Sequence, residues 1–185
     1  MNFVLILFVA IALIFDFLNG FHDSANVVAT AIASRAISPK WALAMTALTN
    51  FFGPFLFGVA VATTIGNEVV AEQAVTIPVA MSALLSAIIW NILTWWLGIP
   101  SSSSHALIGG FLGAAIVGYG LGVIRLEGFE KVLVGLFISP VIGLFFGVMI
   151  MKLTLFLTQW SGPQINNVFR HLQWVTSLVL GLSHG

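Results

Sequence analysis

The sequence lacks cysteine and has few charged side chains. Among its 185 residues, six Lys plus Arg balance six Asp plus Glu, so the formal net charge is zero. The absence of cysteine excludes disulfides, thiolate chemistry and metal sites that need Cys ligands. The neutral balance excludes the basic surface that nucleic-acid binding requires. No nucleic-acid partner is therefore expected.

Apolar residues make up most of the chain. They account for 59% of the sequence, charged residues for 6%, and the mean hydropathy is +1.10. These values are typical of a polytopic helical membrane protein and of no ordinary soluble domain. Residues 1–12 have no basic flank, so we interpret them as part of a first spanning helix rather than a signal peptide. The prediction is an all-α, multi-pass integral membrane protein in which residues 1–185 form a single transmembrane domain within the lipid bilayer.

Four or five stretches approach the roughly 20 apolar residues that a spanning helix needs. They cover residues 3–19 with a continuation to about 36, then 41–65, 77–97, 106–124 and 132–157. The third and fourth stretches are either full spans or a re-entrant hairpin. Lysines and arginines are more numerous in the loops on one side of these spans, at Arg35, Lys40, Lys152 and Arg170. The positive-inside rule then places the N-terminus outside and the 36–40 loop in the cytoplasm.

A first group of polar residues interrupts the apolar N-terminal stretch. Its members recur every three or four positions and would form one stripe on a helix: Asp16, Asn19, Asp23, Asn26, Thr30 and Ser34. An Asp at the centre of a membrane helix costs roughly 2.5–3.5 kcal/mol, so we interpret Asp23 with Asn26 as a binding site. For Thr30 and Ser34, binding and helix packing stay open. Gly20 predicts a break in this helix, which is tolerated where the backbone lines a cavity.

A second group of polar residues follows the third apolar stretch, at residues 100–105. Pro100 predicts that the helix stops at Ile99, and four serines then cap a new helix that starts near His105. The free N–H groups of a helix start bind anions such as phosphate or sulfate. A polar loop at the membrane surface is the alternative. The pairing with a broken first helix favours a transporter site.

Both motifs resemble those of the inorganic phosphate transporter (Pit) family, in its bacterial branch. Asn19-Gly-Phe-His-Asp-Ser-Ala-Asn26 resembles the first signature, and Trp90-Asn91, Thr94-Trp95 and Pro100-Ser-Ser-Ser-Ser-His105 resemble the second. The resemblance implies inverted repeats that import inorganic phosphate, coupled to H⁺ or Na⁺ symport, across a bacterial or archaeal cytoplasmic membrane. This chain has one copy of the first signature. We therefore expect one repeat over about residues 1–165, a truncated second repeat over 166–185, and a missing C-terminal half as partner. A homodimer stays open.

The resemblance also implies roles for individual residues. Asp23, Asn26 and Asn19 would bind the coupling cation, with Na⁺ at Asp23 as the only metal expected and no organic cofactor. Phosphate would contact Ser101, Ser102, Ser103 and Ser104. Asn26 and Thr30 are further candidates for phosphate binding, and His105 either donates to phosphate or only caps the helix. His22 is adjacent to Asp23, and neighbours on a helix point apart, so no direct pairing is expected. Asp16 is either a second proton site or pairs with the missing half.

Three other functions are alternatives to phosphate transport. An intramembrane hydrolase would need Ser104 and His105 as nucleophile and base, but adjacent residues point apart and no Gly-x-Ser-x-Gly motif is present. The sequence therefore predicts no enzyme. A channel would show repeated rings of charges or carbonyls, which the sequence lacks. A permease of the same fold for sulfate stays open, because hydroxyls and helix N-termini bind both oxyanions.

Overall fold

The computed structural model describes residues 3–57 and 65–184, and this part of the chain is built from helices. Six long helices follow one another: α1 (Phe3–Ala33), α2 (Pro39–Phe57), α3 (Ile77–Leu97), α4 (Ser103–Tyr119), α5 (Leu126–Thr158) and α6 (Ile165–His184). A π-helix at Ile65–Val69 and 3₁₀ turns at Glu72–Ala74 and Leu121–Val123 connect them. The predicted all-α class is confirmed.

Within the described residues, three helices are long and apolar enough to cross a membrane, namely α1, α3 and α5. Helix α3 coincides with the third predicted stretch, at residues 77–97. Helices α2 and α4 occupy the second and fourth stretches, although residues 58–64 of the second lie outside the described part. Helix α4 has 17 residues, fewer than the roughly 20 that a full span needs.

The break predicted at Gly20 is wrong, because α1 runs through it without interruption. A single glycine inside a helix costs only about 1 kcal/mol relative to alanine. Breaking the helix among apolar surroundings would leave backbone N–H and C=O groups without partners, each at a cost of several kcal/mol. The helix instead continues to Ala33, and Arg35 leaves it with a φ of 55°.

Helices α3 and α4 form a hairpin around the loop 98–102. Helix α3 ends at Leu97, two residues before the predicted stop, because Gly98 adopts a left-handed φ of 67° and donates its N–H to the carbonyls of Thr94 and Trp95. The two helices approach closely farther along. A Cβ placed on Gly110 would lie 2.8 Å from the carbonyl oxygen of Ala83.

The hairpin lies against α1, whose C-terminal end packs on α2. A buried apolar cluster fills this second junction, with members Val27, Val28, Ala31, Ile37 and Ala42. Helix α6 packs on α2, where Gly181 contacts Thr49. The hydroxyl of Ser34 donates to Gln173 Oε1 of α6 at 2.6 Å, which supports the packing role for Ser34.

The segment before α3 is joined to the start of α5. Arg125 Nη1 donates to the carbonyl of Asn67 at 2.8 Å, and Lys131 Nζ lies 2.6 Å from Glu68 Oε2. Gly128 contacts the carbonyl of Glu68. These contacts join the segment before α3 to the start of α5. Beyond this junction, the apolar side chains of α5 are exposed.

Candidate functional site

Three side chains from two distant segments meet where α1 crosses the start of α4. Ser103 Oγ lies 2.6 Å from Asp23 Oδ2 and also contacts Asn19 Oδ1. Ser103 is buried, with 1% of its surface exposed. Asn19 and Asp23 are one helical turn apart and so lie on the same face of α1. We call these three residues the carboxylate cluster.

The local sequence explains why the cluster forms at this place. Gly98 ends α3 and Pro100 prevents the helix from continuing, so the chain turns before α4 begins. Ser102 is the N-cap of α4, because its Oγ accepts from the N–H of His105 at 3.4 Å. The prediction of a serine-capped helix is confirmed, with the first helical residue at Ser103 instead of near His105.

The four serines have different environments, although the sequence predicted one shared role. The hydroxyl of Ser101 lies 2.9 Å from that of Thr94, which fixes the loop to α3. Ser102 caps the helix, and Ser103 belongs to the carboxylate cluster. Only Ser104 of the four has an exposed side chain.

The carboxylate cluster places the acidic side chain of Asp23 beside the start of α4. The first N–H groups of a helix have no partner within it, and the helix dipole favours negative charge there. The Asp23 carboxylate lies at this position through its contact with Ser103. The protein's own carboxylate therefore lies next to the helix start at which the sequence predicted a bound anion.

His22 lies beside the cluster without joining its hydrogen bonds. Its Nδ1 is 3.6 Å from Asp23 Oδ1, a distance within ion-pair range but too long for a hydrogen bond. The two side chains thus approach within ion-pair distance although no direct pairing was expected, and they make no hydrogen bond with each other. The Nδ1 atom is buried and has no hydrogen-bond partner among the described residues.

A buried amide on α3 belongs to the second motif, although no role in the site was predicted for it. Asn91 is 2% exposed, and neither Nδ2 nor Oδ1 has a hydrogen-bond partner in the described part of the chain. Thr94, also buried, lies three residues farther along and contacts Ser101. The three-residue spacing that identified the stripe on α1 also places these two on one face of α3.

Other predicted site residues are not brought to the cluster. Thr30 is exposed and lies seven residues beyond Asp23, about 10 Å along the helix axis. Asp16 and His105 are exposed as well. The side chain of Asn26 lies outside the described part of the structure. The roles assigned to these four residues stay predictions.

Oxygen atoms are the ligands that this site offers to a cation. The carboxylate cluster provides one carboxylate, one amide oxygen and one hydroxyl. Among the described residues, no group of three or more His, Cys, Asp or Glu side chains forms a metal site. Hard monovalent or divalent cations, or a proton, fit such a donor set better than a transition metal does.

Comparison with known proteins identifies the family. A family model described as the phosphate transporter family matches residues 19–185, a range that contains both polar motifs and the whole carboxylate cluster. The chain belongs to the phosphate transporter family. The resemblance noted in the two motifs is thereby confirmed, and Ser103, Asp23 and Asn19 are positions of a phosphate transporter family domain.

Several members of the phosphate transporter family are similar to the chain over nearly its whole length. The probable low-affinity inorganic phosphate transporter of Streptomyces halstedii is 41% identical over 98% of this chain and 86% of that protein. The protein of the same name in Bacillus subtilis (strain 168) is 40% identical over 97% of this chain and 55% of that protein. These relatives are named as transporters, in agreement with the prediction that the chain is no enzyme.

A solved structure has the same fold. The structure described as the sodium-dependent phosphate transporter superimposes with a TM-score of 0.80 at 26% identity, over 99% of this chain and 52% of that one. The chain thus spans about half the length of that transporter and of the Bacillus relative.

Proposed function

We propose that the full-length protein containing this chain imports inorganic phosphate by symport with a cation, H⁺ or Na⁺, across the cytoplasmic membrane. Membership of the phosphate transporter family supports the substrate, and the likeness to a sodium-dependent phosphate transporter supports sodium as one coupling ion. The observation that carries the proposal is the 2.6 Å contact between Asp23 and Ser103 at the start of α4.

The hydrogen-bond count of the cluster favours a bound cation. The hydroxyl of Ser103 has one hydrogen, whereas Asn19 Oδ1 and Asp23 Oδ2 are both acceptors within reach. A proton on Asp23 would supply the second hydrogen, and Na⁺ would accept lone pairs from all three oxygens. This count applies with Asn19 Oδ1 towards Ser103, since an amide turned the other way would donate from Nδ2 to the hydroxyl and complete the hydrogen bonds without a cation.

The proposed phosphate site lies next to the Asp23 carboxylate, at the start of α4. The first N–H groups of α4 and the exposed Ser104 hydroxyl are the donors that suit an oxyanion. A carboxylate within contact of Ser103 repels an arriving anion until a cation neutralises it. Cation and phosphate therefore stabilise each other's binding, which is the thermodynamic requirement for coupled transport.

The test is uptake of radiolabelled phosphate by cells that lack their own transporters and express the full-length protein. Asp23→Asn keeps the size and the contact with Ser103 but removes the charge, so we expect coupled accumulation to be lost while the protein still folds. Glu130→Gln removes one carboxylate from outside the cluster, near the start of α5, and is the matched control. Normal accumulation by Asp23→Asn would refute the proposed role of Asp23.

The same assay identifies the substrate and the coupling ion. Uptake that ignores excess unlabelled sulfate would support a phosphate transporter, whereas uptake abolished by sulfate would assign the protein to a sulfate permease of the same fold. A dependence on Na⁺ at constant pH would identify sodium as the coupling ion. A dependence on external acidity without Na⁺ would identify the proton.

A further inference from the structure

Thr94 is bonded to the loop that follows α3 through both its backbone and its side chain. Its carbonyl oxygen accepts the N–H of Ile99 at 2.9 Å, which is one of the bonds of the Schellman motif that ends α3 at Gly98. Its hydroxyl lies 2.9 Å from Ser101 Oγ, and this second contact is not part of the Schellman motif. Thr94 is only 2% exposed, so its contacts are shielded from water.

The other contacts of Thr94 decide which of the two hydroxyls is the donor. Thr94 Oγ1 lies 2.9 Å from the carbonyl oxygen of Trp90 and 3.2 Å from that of Asn91. A carbonyl oxygen can only accept, so the single hydrogen of Thr94 is needed for these contacts. Ser101 therefore donates its own hydrogen to Thr94. It keeps lone pairs on its oxygen but has no hydrogen left for a phosphate oxygen.

Ser101 lies next to the carboxylate cluster along the chain. Only Ser102, the N-cap of α4, separates it from Ser103. Ser103 in turn contacts Asp23 at 2.6 Å. A displacement of Ser101 would thus move the start of α4, beside which the proposed cation and phosphate sites lie.

We propose that Thr94 is a positioning residue for phosphate transport, an inference that rests on the proposed function. It accepts the hydrogen of Ser101 and so holds the serine loop in the position that brings Ser103 to Asp23. Ser101 then acts on the substrate through the position of the loop, and not as a hydrogen-bond donor to phosphate. The two hydroxyls therefore share one effect on transport, although the sequence predicted a direct phosphate contact for Ser101 and no role for Thr94.

The test measures uptake of labelled phosphate by the full-length protein over a range of phosphate concentrations, and thermal unfolding in detergent confirms that each variant is folded. Thr94→Val keeps the size of the side chain and removes the hydroxyl. The matched control is Thr154→Val on α5, because the Thr154 hydroxyl also donates to the carbonyl four residues earlier, that of Ile150, at 2.8 Å.

We expect Thr94→Val to raise the half-saturating phosphate concentration by roughly two- to tenfold, the equivalent of one neutral hydrogen bond. Thr154→Val should leave this concentration unchanged. Thr94→Ser keeps the hydroxyl and should stay near the wild-type value, which a purely steric role of the side chain would not explain.

Ser101→Ala removes the same bond from the side of the loop and tests whether the effect is shared. We expect equal increases in Ser101→Ala, in Thr94→Val and in the double variant, because the same bond is lost in all three. If the two single increases instead multiply in the double variant, Ser101 acts on phosphate independently of Thr94 and the inference is wrong.

An unchanged half-saturating concentration in folded Thr94→Val would also overturn the inference. If Thr94→Val does not fold, Ser101→Ala on the half-buried loop replaces it, and an unchanged value in that variant would refute the positioning role. Absence of phosphate uptake in wild type would instead contradict the proposed function itself, so the two failures are distinguishable.

Discussion

Two adjacent glycines of α4 allow a direct test of how the hairpin positions Ser103. A Cβ on Gly110 would lie 2.8 Å from the Ala83 carbonyl oxygen and 3.1 Å from Ser86 Cβ, whereas a Cβ on Gly109 has no atom within 4 Å. Both changes to alanine gain about 1 kcal/mol of helix propensity. Only Gly110→Ala must also push α4 away from a backbone atom, and such overpacking costs about 1–3 kcal/mol.

We therefore expect Gly110→Ala to be less stable than Gly109→Ala by about 1–3 kcal/mol, since the propensity gain cancels in the comparison. Thermal unfolding of the purified full-length protein in detergent measures the difference. A domain of 150–250 residues would shift by about 2–4 °C per kcal/mol, and a longer protein by less. Because Ser103 begins the displaced helix, phosphate uptake should fall in Gly110→Ala as well. Equal unfolding temperatures for the two variants would refute the close approach of α3 and α4.

Two further glycine predictions concern the turn between α3 and α4 and the first turn of α5. Gly98 has a φ of 67° and open space around it, so Gly98→Ala should cost about 1 kcal/mol from backbone strain alone, and Gly98→Asn, which tolerates this conformation better, should cost less. Equal decreases in unfolding temperature for Gly98→Ala and Gly98→Asn would contradict backbone strain as the cause. Gly128→Ala would place a methyl group against the rigid carbonyl of Glu68 and should reduce folded yield and unfolding temperature, whereas Gly135→Ala meets open space and should not. Similar behaviour of these two variants would contradict the junction between α5 and the segment 65–74.

The predicted serine-capped helix start after Pro100 was confirmed, and this prediction used only residues close together in the chain. Pro100 and the serines predicted a helix stop and a capped restart, and α4 does begin with a serine cap at Ser102. This succeeded because capping involves residues three apart in the chain, so the interaction is visible in the sequence.

Gly20 shows the limit of predicting structure from neighbouring residues alone. Glycine permits a break, but only the surroundings decide whether breaking the helical hydrogen bonds is favourable, and here α1 continues.

The division of roles among the serines required the tertiary structure. Ser101 and Ser103 are equivalent in sequence terms, yet one contacts Thr94 and the other Asp23. Their directions depend on the turn at residues 98–102 and on the crossing of α1 with the hairpin. Asn91 was named only as part of the second motif, for a related reason: the sequence does not show that this amide is buried without hydrogen-bond partners among the described residues.

The sequence alone determined the class of protein and the two motifs, because apolar content, residue periodicity and capping patterns depend on neighbours in the chain. The family followed from the resemblance of these two motifs to known ones. The tertiary structure decided which side-chain oxygen atoms lie within hydrogen-bond distance of each other. Asp23 and Ser103 are 80 residues apart, and no local rule specifies that a carboxylate of α1 lies at the start of α4. That contact depends on the packing of α3 and α4 against α1, which is a property of the whole assembled bundle of helices.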